Sequence, residues 1–321
     1  MKPWIAAFLA ACAVCVRAQD FGPIDTRNHR DLSLPFLRMS AVSNILRAGD
    51  STFSFGWTEA NDFRLLPEGG PYTVHEDEET SRFSLEYKRG LGHDQQLSVE
   101  LPILIRGGGF MDSIIEWWHK RILRWEDPLR FATPEDLCIV DVPGAHFGSA
   151  WGQGDVSCMY SKRVSDRLIT SAALKLPTGN ASELMGSGAP DFGISADYET
   201  PIGPHWTYYL QGGLILQGTA TVLPNSRVVV HQEMMAIVYK QNSRDAWIGQ
   251  WNGEASATVT GVAGSDSTHR LITVGYQRKL SRTRFLEMYI SEDRDLFENE
   301  FPEGANIGPD FTAGVRLTMK L

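Results

Sequence analysis

The sequence predicts an all-β chain: an antiparallel, up-and-down transmembrane β-barrel of about twelve strands, with one short helix in an outer loop. Three observations predict it. Apolar and polar residues alternate with period two through most of the chain beyond residue 50, the signature of strands with one apolar face. The connections between these runs are alternately short and long, as in barrels with tight turns at one rim and loops at the other. The final residues, "FTAGVRLTMKL", form an intact amphipathic strand. Termini are usually frayed, but a closed barrel must pair its last strand with its first, because lipid offers no water to an unpaired edge.

The N-terminus, "MKPWIAAFLAACAVCVRAQD", opens with a positive Lys2, continues in an apolar stretch over Trp4–Val16 too short to span a bilayer, and has small residues at Val16 and Ala18 around Arg17. It reads as a cleaved secretory signal over residues 1–18. The rival is a lipoprotein box at "LAAC", Leu9–Cys12, which would leave an apolar stub. No later apolar run has the length of a spanning helix. Cys12 and Cys15 leave with the signal, and Cys138 and Cys158 remain. In an oxidising compartment these two form a disulfide if the fold brings them together; two unrelated thiols is the other reading. A net charge of −9 lacks the basic footprint that nucleic acid requires.

Residues 19–49 read as a periplasmic or plug-like segment before a barrel over 50–321. The strands fall at 50–60, 81–90, 95–106, 152–164, 168–177, 191–201, 205–217, 228–241, 246–260, 270–280, 284–291 and 310–321. In "RFSLEYKRG", Phe83, Leu85 and Tyr87 oppose Ser84, Glu86 and Lys88. The last strand sets Phe311, Ala313, Val315, Leu317, Met319 and Leu321 against Thr312, Gly314, Arg316, Thr318 and Lys320. Short connections such as "GLGHD", "PIGP" and "QNSRD" carry turn residues. The longer ones lie at 61–80, 107–150, 178–190, 218–227, 261–269 and 292–309. In a membrane barrel the apolar parity faces lipid and the polar parity faces the lumen. Glu86, Lys88, Glu100, Lys175, Glu254, Glu287, Arg316 and Lys320 are therefore expected to line the interior. Trp57, Trp151, Trp206, Trp247, Trp251, Tyr208, Tyr209 and Tyr239, near strand ends, are expected in interfacial girdles.

Several stretches resemble an uncharacterised bacterial outer-membrane family, domain of unknown function 3187. They are "GPIDTRNHRDL" at Gly22–Leu32, "GGGFMDSIIEWWH" at Gly107–His119, "GQGD" at Gly152–Asp155, "LKLPTG" at Leu174–Gly179 and "GSGAPDFG" at Gly186–Gly193. The motif residues are Gly152, Gly154, Asp155, Pro177, Thr178, Gly179, Gly186, Ser187, Gly188 and Asp191. "SED" at Ser291–Asp293 and "GPDFT" at Gly308–Thr312 are distantly similar to barrels of aromatic-degradation operons. The resemblance spans nearly all of the chain after the signal and implies an outer-membrane barrel. "TAGVRLTMKL" also resembles the terminal signal read by the barrel assembly machinery, with Leu321 in place of the usual Phe.

Few residues point to chemistry. Asp112, Glu116 and His119 share one face of the expected loop helix, placed over the lumen. Two carboxylates and an imidazole could polarise a nucleophile or hold a metal; without located partners they are simply a polar face. The acidic "HEDEET" at His75–Thr80 reads as a solvated outer loop, with Ca²⁺ bridging the sharper alternative. "PTGN" and "GSGAPD" read as tight loop geometry, since no P-loop Lys-Ser/Thr follows. No cofactor or resident metal is expected. The expected function is a monomeric narrow channel or facilitator for a small, even apolar, solute in the outer membrane, with lipid, the assembly machinery and that solute as partners. A membrane-embedded hydrolase with a rim site near His119 and a structural or adhesive barrel acting through its outer loops stay open.

Overall fold

The computed structural model describes residues 21–66, 73–124, 134, 136–223, 225–293 and 308–321, the side chains of 118, 119, 123, 263 and 293 excepted. The expected signal peptide lies outside them.

Among the described residues, fifteen strands form one continuous sheet. They are β1 Ser51–Leu66, β2 Val74–Gly92, β3 Gln95–Gly107, β4 Ile139–Val142, β5 Ala145–Phe147, β6 Ala150–Gln153, β7 Val156–Ser165, β8 Leu168–Leu176, β9 Asp191–Pro201, β10 Trp206–Leu216, β11 Val229–Lys240, β12 Asp245–Ala255, β13 Thr268–Lys279, β14 Arg284–Asp293 and β15 Phe311–Lys320. Each pairs antiparallel with its neighbours, and β1 closes on β15 from Thr52↔Lys320 to Asn61↔Phe311. β6 and β7 pair in turn along β3 and count as one wall strand. β4 and β5 are a small hairpin on the extended end of β2. The wall is therefore a closed antiparallel barrel of twelve strands, as the alternation predicts.

The faces sort as barrel geometry requires. Phe55, Trp57, Ile105, Trp151, Phe192, Ile194, Trp247 and Val274 are exposed outward, Trp151 by 79 %. Their neighbours of opposite parity are buried inward: Ser54, Thr58, Arg106, Asp191, Ser195, Ala246, Ile248 and Thr273. Tyr209 departs from the expected girdle. It follows Tyr208 directly, so the pleat turns it inward, where its hydroxyl donates to the Phe21 carbonyl at 3.1 Å.

Three boundaries differ from expectation. β1 and β2 extend to Leu66 and back to Val74, so much of the expected 61–80 loop is strand. The acidic run His75–Thr80 is thus paired backbone, and Glu76, Asp77, Glu78 and Glu79 are buried rather than solvated. β12 ends at Ala255, and Ala257 packs in a loop core with Leu32, Val74 and Leu223. Apolar content sustains the alternation there, but tertiary burial rather than strand pairing uses it.

Helix α1, Asp112–Trp118, continues into a π-turn over His119–Leu123. It stands against the outside of the wall, not over the lumen. The Phe110, Met111 and Asp112 N–H groups donate to the Glu79 carboxylate, which has the outward parity of Phe83 and Leu85. Met111 and Ile115 are buried, whereas Phe110, Ile114 and Trp117 remain exposed.

Candidate functional site

The interior of the barrel holds residues 21–49 of the same chain, which form no regular strand or helix beyond turns at 31–36 and 48–49. Such a segment brings backbone amides that must find partners once buried. Inward side chains of the wall supply them. Gln277 Oε1 accepts the Gly22 N–H at 3.0 Å. Gln250 accepts the Ile24 N–H at 2.8 Å and donates to the Ile24 carbonyl at 3.0 Å. Gln232 does the same for Met39, at 2.8 and 2.7 Å. A primary amide carries the donor and acceptor of a peptide group, so Gln250 and Gln232 each pair the segment as a strand edge would. Asp191, Asp197 and Gln96 accept the Leu37, Val42 and Leu46 N–H groups at 2.8, 3.2 and 3.1 Å. Apolar side chains seat the segment between these bonds. Phe21 and Ile24 pack with Met234, Ile248 and Phe285, and Leu37, Met39 and Val42 pack with Met159, Ile169 and Ile215.

Charged groups grip it elsewhere. Arg30, fully buried, donates to both oxygens of Glu76 and, through Nη2, to Ser265 Oγ at 2.6 Å. Asp31 accepts from Arg106 at 2.9 Å and from Thr80 at 2.9 Å. Arg316 bridges Asp25 of the segment and Glu86 of the wall. Within the segment, loss of solvent pushes the Arg27 guanidinium down to about 10. Burial, followed by the cations Arg82, Arg27 and Arg38, holds His29 well below its ordinary value. Burial raises Asp31 despite its partner Arg106.

The motif residues that carry the family resemblance converge on one buried knot. Lys175 Nζ contacts Asp155 Oδ2 at 2.6 Å, Asp191 Oδ2 at 3.2 Å and the Pro35 carbonyl at 2.8 Å. Asp155 also accepts the Gly179 and Ser187 N–H groups, at 2.8 and 3.0 Å. Thr178 Oγ1 accepts the Val156 N–H and donates to the Gly154 carbonyl, at 2.9 and 3.3 Å. A Cβ at Gly179 would come within 3.0 Å of the Met185 and Gln153 carbonyls, and Gly188 has φ +76°. The glycines therefore let the loop after β8 fold tightly enough to reach Asp155. Pro177, Gly152 and Gly186 lie in the same loop–strand junction.

Of the residues expected to line the lumen, Glu86, Lys175, Glu254 and Glu287 are buried, whereas Lys88, Glu100, Arg316 and Lys320 keep part of their surface in solvent. Glu86 pairs with Lys88 at 3.1 Å and with Arg316. Glu100 pairs with Arg82 at 2.6 Å, and Lys320 with Asp50 at 2.8 Å. Glu287 accepts from Gln277 at 2.7 Å, and Glu254 is buried on β12. What remains open is small. A cavity of about 40 Å³ is lined by Asp25, Arg27, Arg38, Arg82, Glu100 and Arg316, and one of about 90 Å³ by Asp25, Lys88, Glu287 and Arg316. At the short-turn rim a cavity of about 350 Å³ is lined by Arg47, Arg163, Lys279, Arg282, Arg284 and Lys320 against only Asp50 and Asp94.

Of the expected helix-face residues, Asp112 and Glu116 find partners other than each other. Asp112 accepts from Asn61 at 3.0 Å and Glu116 pairs with Lys120 at 3.4 Å, while the His119 side chain lies outside the described residues. Cys138 and Cys158 are free thiols. Cys158 has the outward parity of Tyr160, whereas Cys138 lies by Ser149 ahead of the β4–β5 hairpin, so the expected disulfide does not form. Sequence reasoning held Arg30 and Asp31 only as part of a family-like stretch and Glu76 only as part of the acidic run weighed for Ca²⁺ bridging, and it missed Arg106 and the amides Gln232, Gln250 and Gln277. The glutamines share the inward parity of the charged residues, and that parity is the signal that would have found them.

No family model matches the chain, and no curated protein sequence matches it. Among solved structures, the chain is similar to the COG4313 outer membrane channel from Pseudomonas putida F1, at 12 % identity over 87 % of this chain and 97 % of that one, with a TM-score of 0.57. The NanC porin matches 84 % of this chain and all of its own, at 8 % identity and a TM-score of 0.48. The P. putida toluene transporter TodX matches 87 % and 91 %, at 8 % identity and a TM-score of 0.43. At these identities the first likeness shows a shared outer-membrane barrel fold, and the other two carry no argument.

Proposed function

We propose that this chain is an outer-membrane channel, a narrow facilitator of small-solute passage, with residues 21–49 as its plug. One observation carries the reading. The interior is polar and charged of both signs, yet it is occupied by a segment held through side-chain contacts rather than through strand pairing. A purely structural barrel of this width can be filled by wall side chains alone. Here the filling is a separate stretch of chain joined to β1 at one end, a geometry that lets it move without unpairing the wall. The short turns and both ends of the described chain lie at one rim, which we assign to the periplasm, with the long loops outside. The outward apolar face is the lipid contact, and β15 is the strand offered to the assembly machinery.

The lining refines the solute. Six basic residues face two acidic ones around the 350 Å³ rim cavity, which favours a small anion over the apolar solute considered from sequence. The resemblance to the 3187 family fits this reading and names no solute.

The test is single-channel conductance of the refolded chain in planar bilayers, beside a variant lacking residues 21–46. The full chain should conduct in small, rare steps, and the deletion should conduct persistently with anion selectivity. A deletion variant that migrates as a folded, heat-modifiable barrel but carries no current would reject the channel.

A further inference from the structure

We propose that Asp62, Glu76 and Glu78, buried where the extended ends of β1 and β2 close over the N-terminal segment, form a binding site for one calcium ion. The argument does not depend on the channel reading.

The pleat places these three carboxylates on one inward face. Asp62 pairs directly with Glu78 across the β1–β2 ladder, and Arg64 pairs with Glu76 beside them. Like charges directly opposite on a strand pair repel, and burial removes the water that would screen them. All three are buried, at 3 %, 0 % and 2 % exposure. One oxygen from each lies within 4.8 Å of the other two.

The surrounding guanidiniums pair with the other carboxylates and leave Glu78 without a cation. Arg30 holds both oxygens of Glu76, Arg106 holds Asp31, and Arg64 lies 3.5 Å from Asp62 and 3.7 Å from Glu76. That sets four carboxylates, Asp31, Asp62, Glu76 and Glu78, against three guanidiniums. Glu78 is the one in excess. Neither of its oxygens has a hydrogen-bond partner, and Asp62 Oδ2 has none either. A buried carboxylate with no partner is among the costliest polar groups a fold can hold. Protonating Glu78 removes its charge but still leaves the Asp62 and Glu76 carboxylates buried within 4.8 Å of each other.

A cation does. Calcium takes only oxygen ligands, accepts carboxylates in one- or two-oxygen mode, and binds at about 2.3–2.6 Å, so oxygens across it stand about 4.6–5.2 Å apart. One oxygen from each of the trio lies within 4.8 Å of the other two, close enough for one such ion to touch all three. Magnesium binds at about 2.0–2.1 Å in a strict octahedron and keeps most of its waters, which this buried trio does not suit. Arg30 already spans Glu76 and the segment, so the ion would lock the two strand ends and the segment's turn together.

The experiment uses the full chain, refolded and treated with chelator, with calcium and magnesium as probes. Equilibrium dialysis with radioactive calcium should find one tight site per chain, and thermal unfolding should shift upward with calcium and far less with magnesium. Glu78→Gln keeps the shape but removes the excess carboxylate. It should migrate as a folded, heat-modifiable barrel, lose tight calcium binding by at least tenfold and lose the thermal shift. Glu116→Gln, on the outer helix, should keep both. Absence of tight binding in the wild type, unchanged binding in folded Glu78→Gln, or an equal response to magnesium would each overturn the proposal.

Discussion

The two sides of the barrel hold the same segment by different chemistry. On β10 to β13 the inward face presents one glutamine per strand, Gln211, Gln232, Gln250 and Gln277, among apolar neighbours such as Met234 and Ile248. On β15, β1, β2 and β3 it presents Arg316, Asp62, Glu76, Glu86, Arg82 and Arg106. A buried amide that meets a peptide group loses little on desolvation and contributes about 1 kcal/mol net per bond. A buried ion pair contributes little net against an apolar isostere, but breaking one member costs about 3–5 kcal/mol because the other charge is stranded. The amide side should therefore hold the segment gently and independently of pH. The charged side should behave as a latch that is secure until one partner is altered.

The largest effect should come from the latch. Arg30→Met leaves Glu76 without its bidentate partner and should weaken the segment's seating by about 3–5 kcal/mol. The double variant Arg30→Met/Glu76→Met should recover most of that loss. Protease cleavage within residues 21–49 of the refolded protein would read both, and equal sensitivity of the single and double variants would refute the latch.

The wall sets the scale beside it. Leu317 faces outward between Phe55 and Leu286, so Leu317→Lys should destabilise the folded barrel by about 2–4 kcal/mol if it lies near the bilayer midplane. Thr318 faces inward and lines both the 350 and the 90 Å³ cavities, so Thr318→Lys has room and should be tolerated. Denaturant titration in lipid with heat-modifiable migration would rank them, and the reverse order would invert the assignment of faces.

The amide side should yield less. Gln250→Leu removes both bonds to Ile24 and leaves a peptide group without its pair, a loss of about 1–3 kcal/mol. Its effect on protease sensitivity should be the same at pH 5 and pH 8. A loss matching that of Arg30→Met would erase the distinction between the two sides.

The smallest effect should be a pH dependence of the segment itself. His29 is held neutral by burial, with its folded value well below the ordinary 6.5. A released segment takes up the proton as pH falls through about 6.5, whereas the seated one does not, so seating should be complete above that pH and weaken below it. Protease sensitivity should rise between pH 7 and 5 in the wild type and stay flatter in His29→Asn. An unchanged slope in folded His29→Asn would assign the dependence to another group.

The wall was legible because its rule is local. Strand parity, turn residues and the alternation of loop lengths lie within a few residues of each other, and each of the twelve expected strands has its counterpart. The lengthening of β1 and β2 was hidden because "HEDEET" looks like solvated loop. Only Arg30, Arg64 and the segment passing beside them make buried strand of it. The same holds for the candidate site. The family-like glycines and acids looked like loop geometry until Lys175 drew Asp155, Asp191 and Pro35 into one knot. Sequence alone determined which residues face in and which face out, because the pleat fixes that at each step. Tertiary structure alone decided what the inward residues meet. Their partners in the segment at 21–49 lie 46 to 291 positions away, as from Glu76 to Arg30 and from Arg316 to Asp25, and closure of the barrel, not local pattern, brings them together.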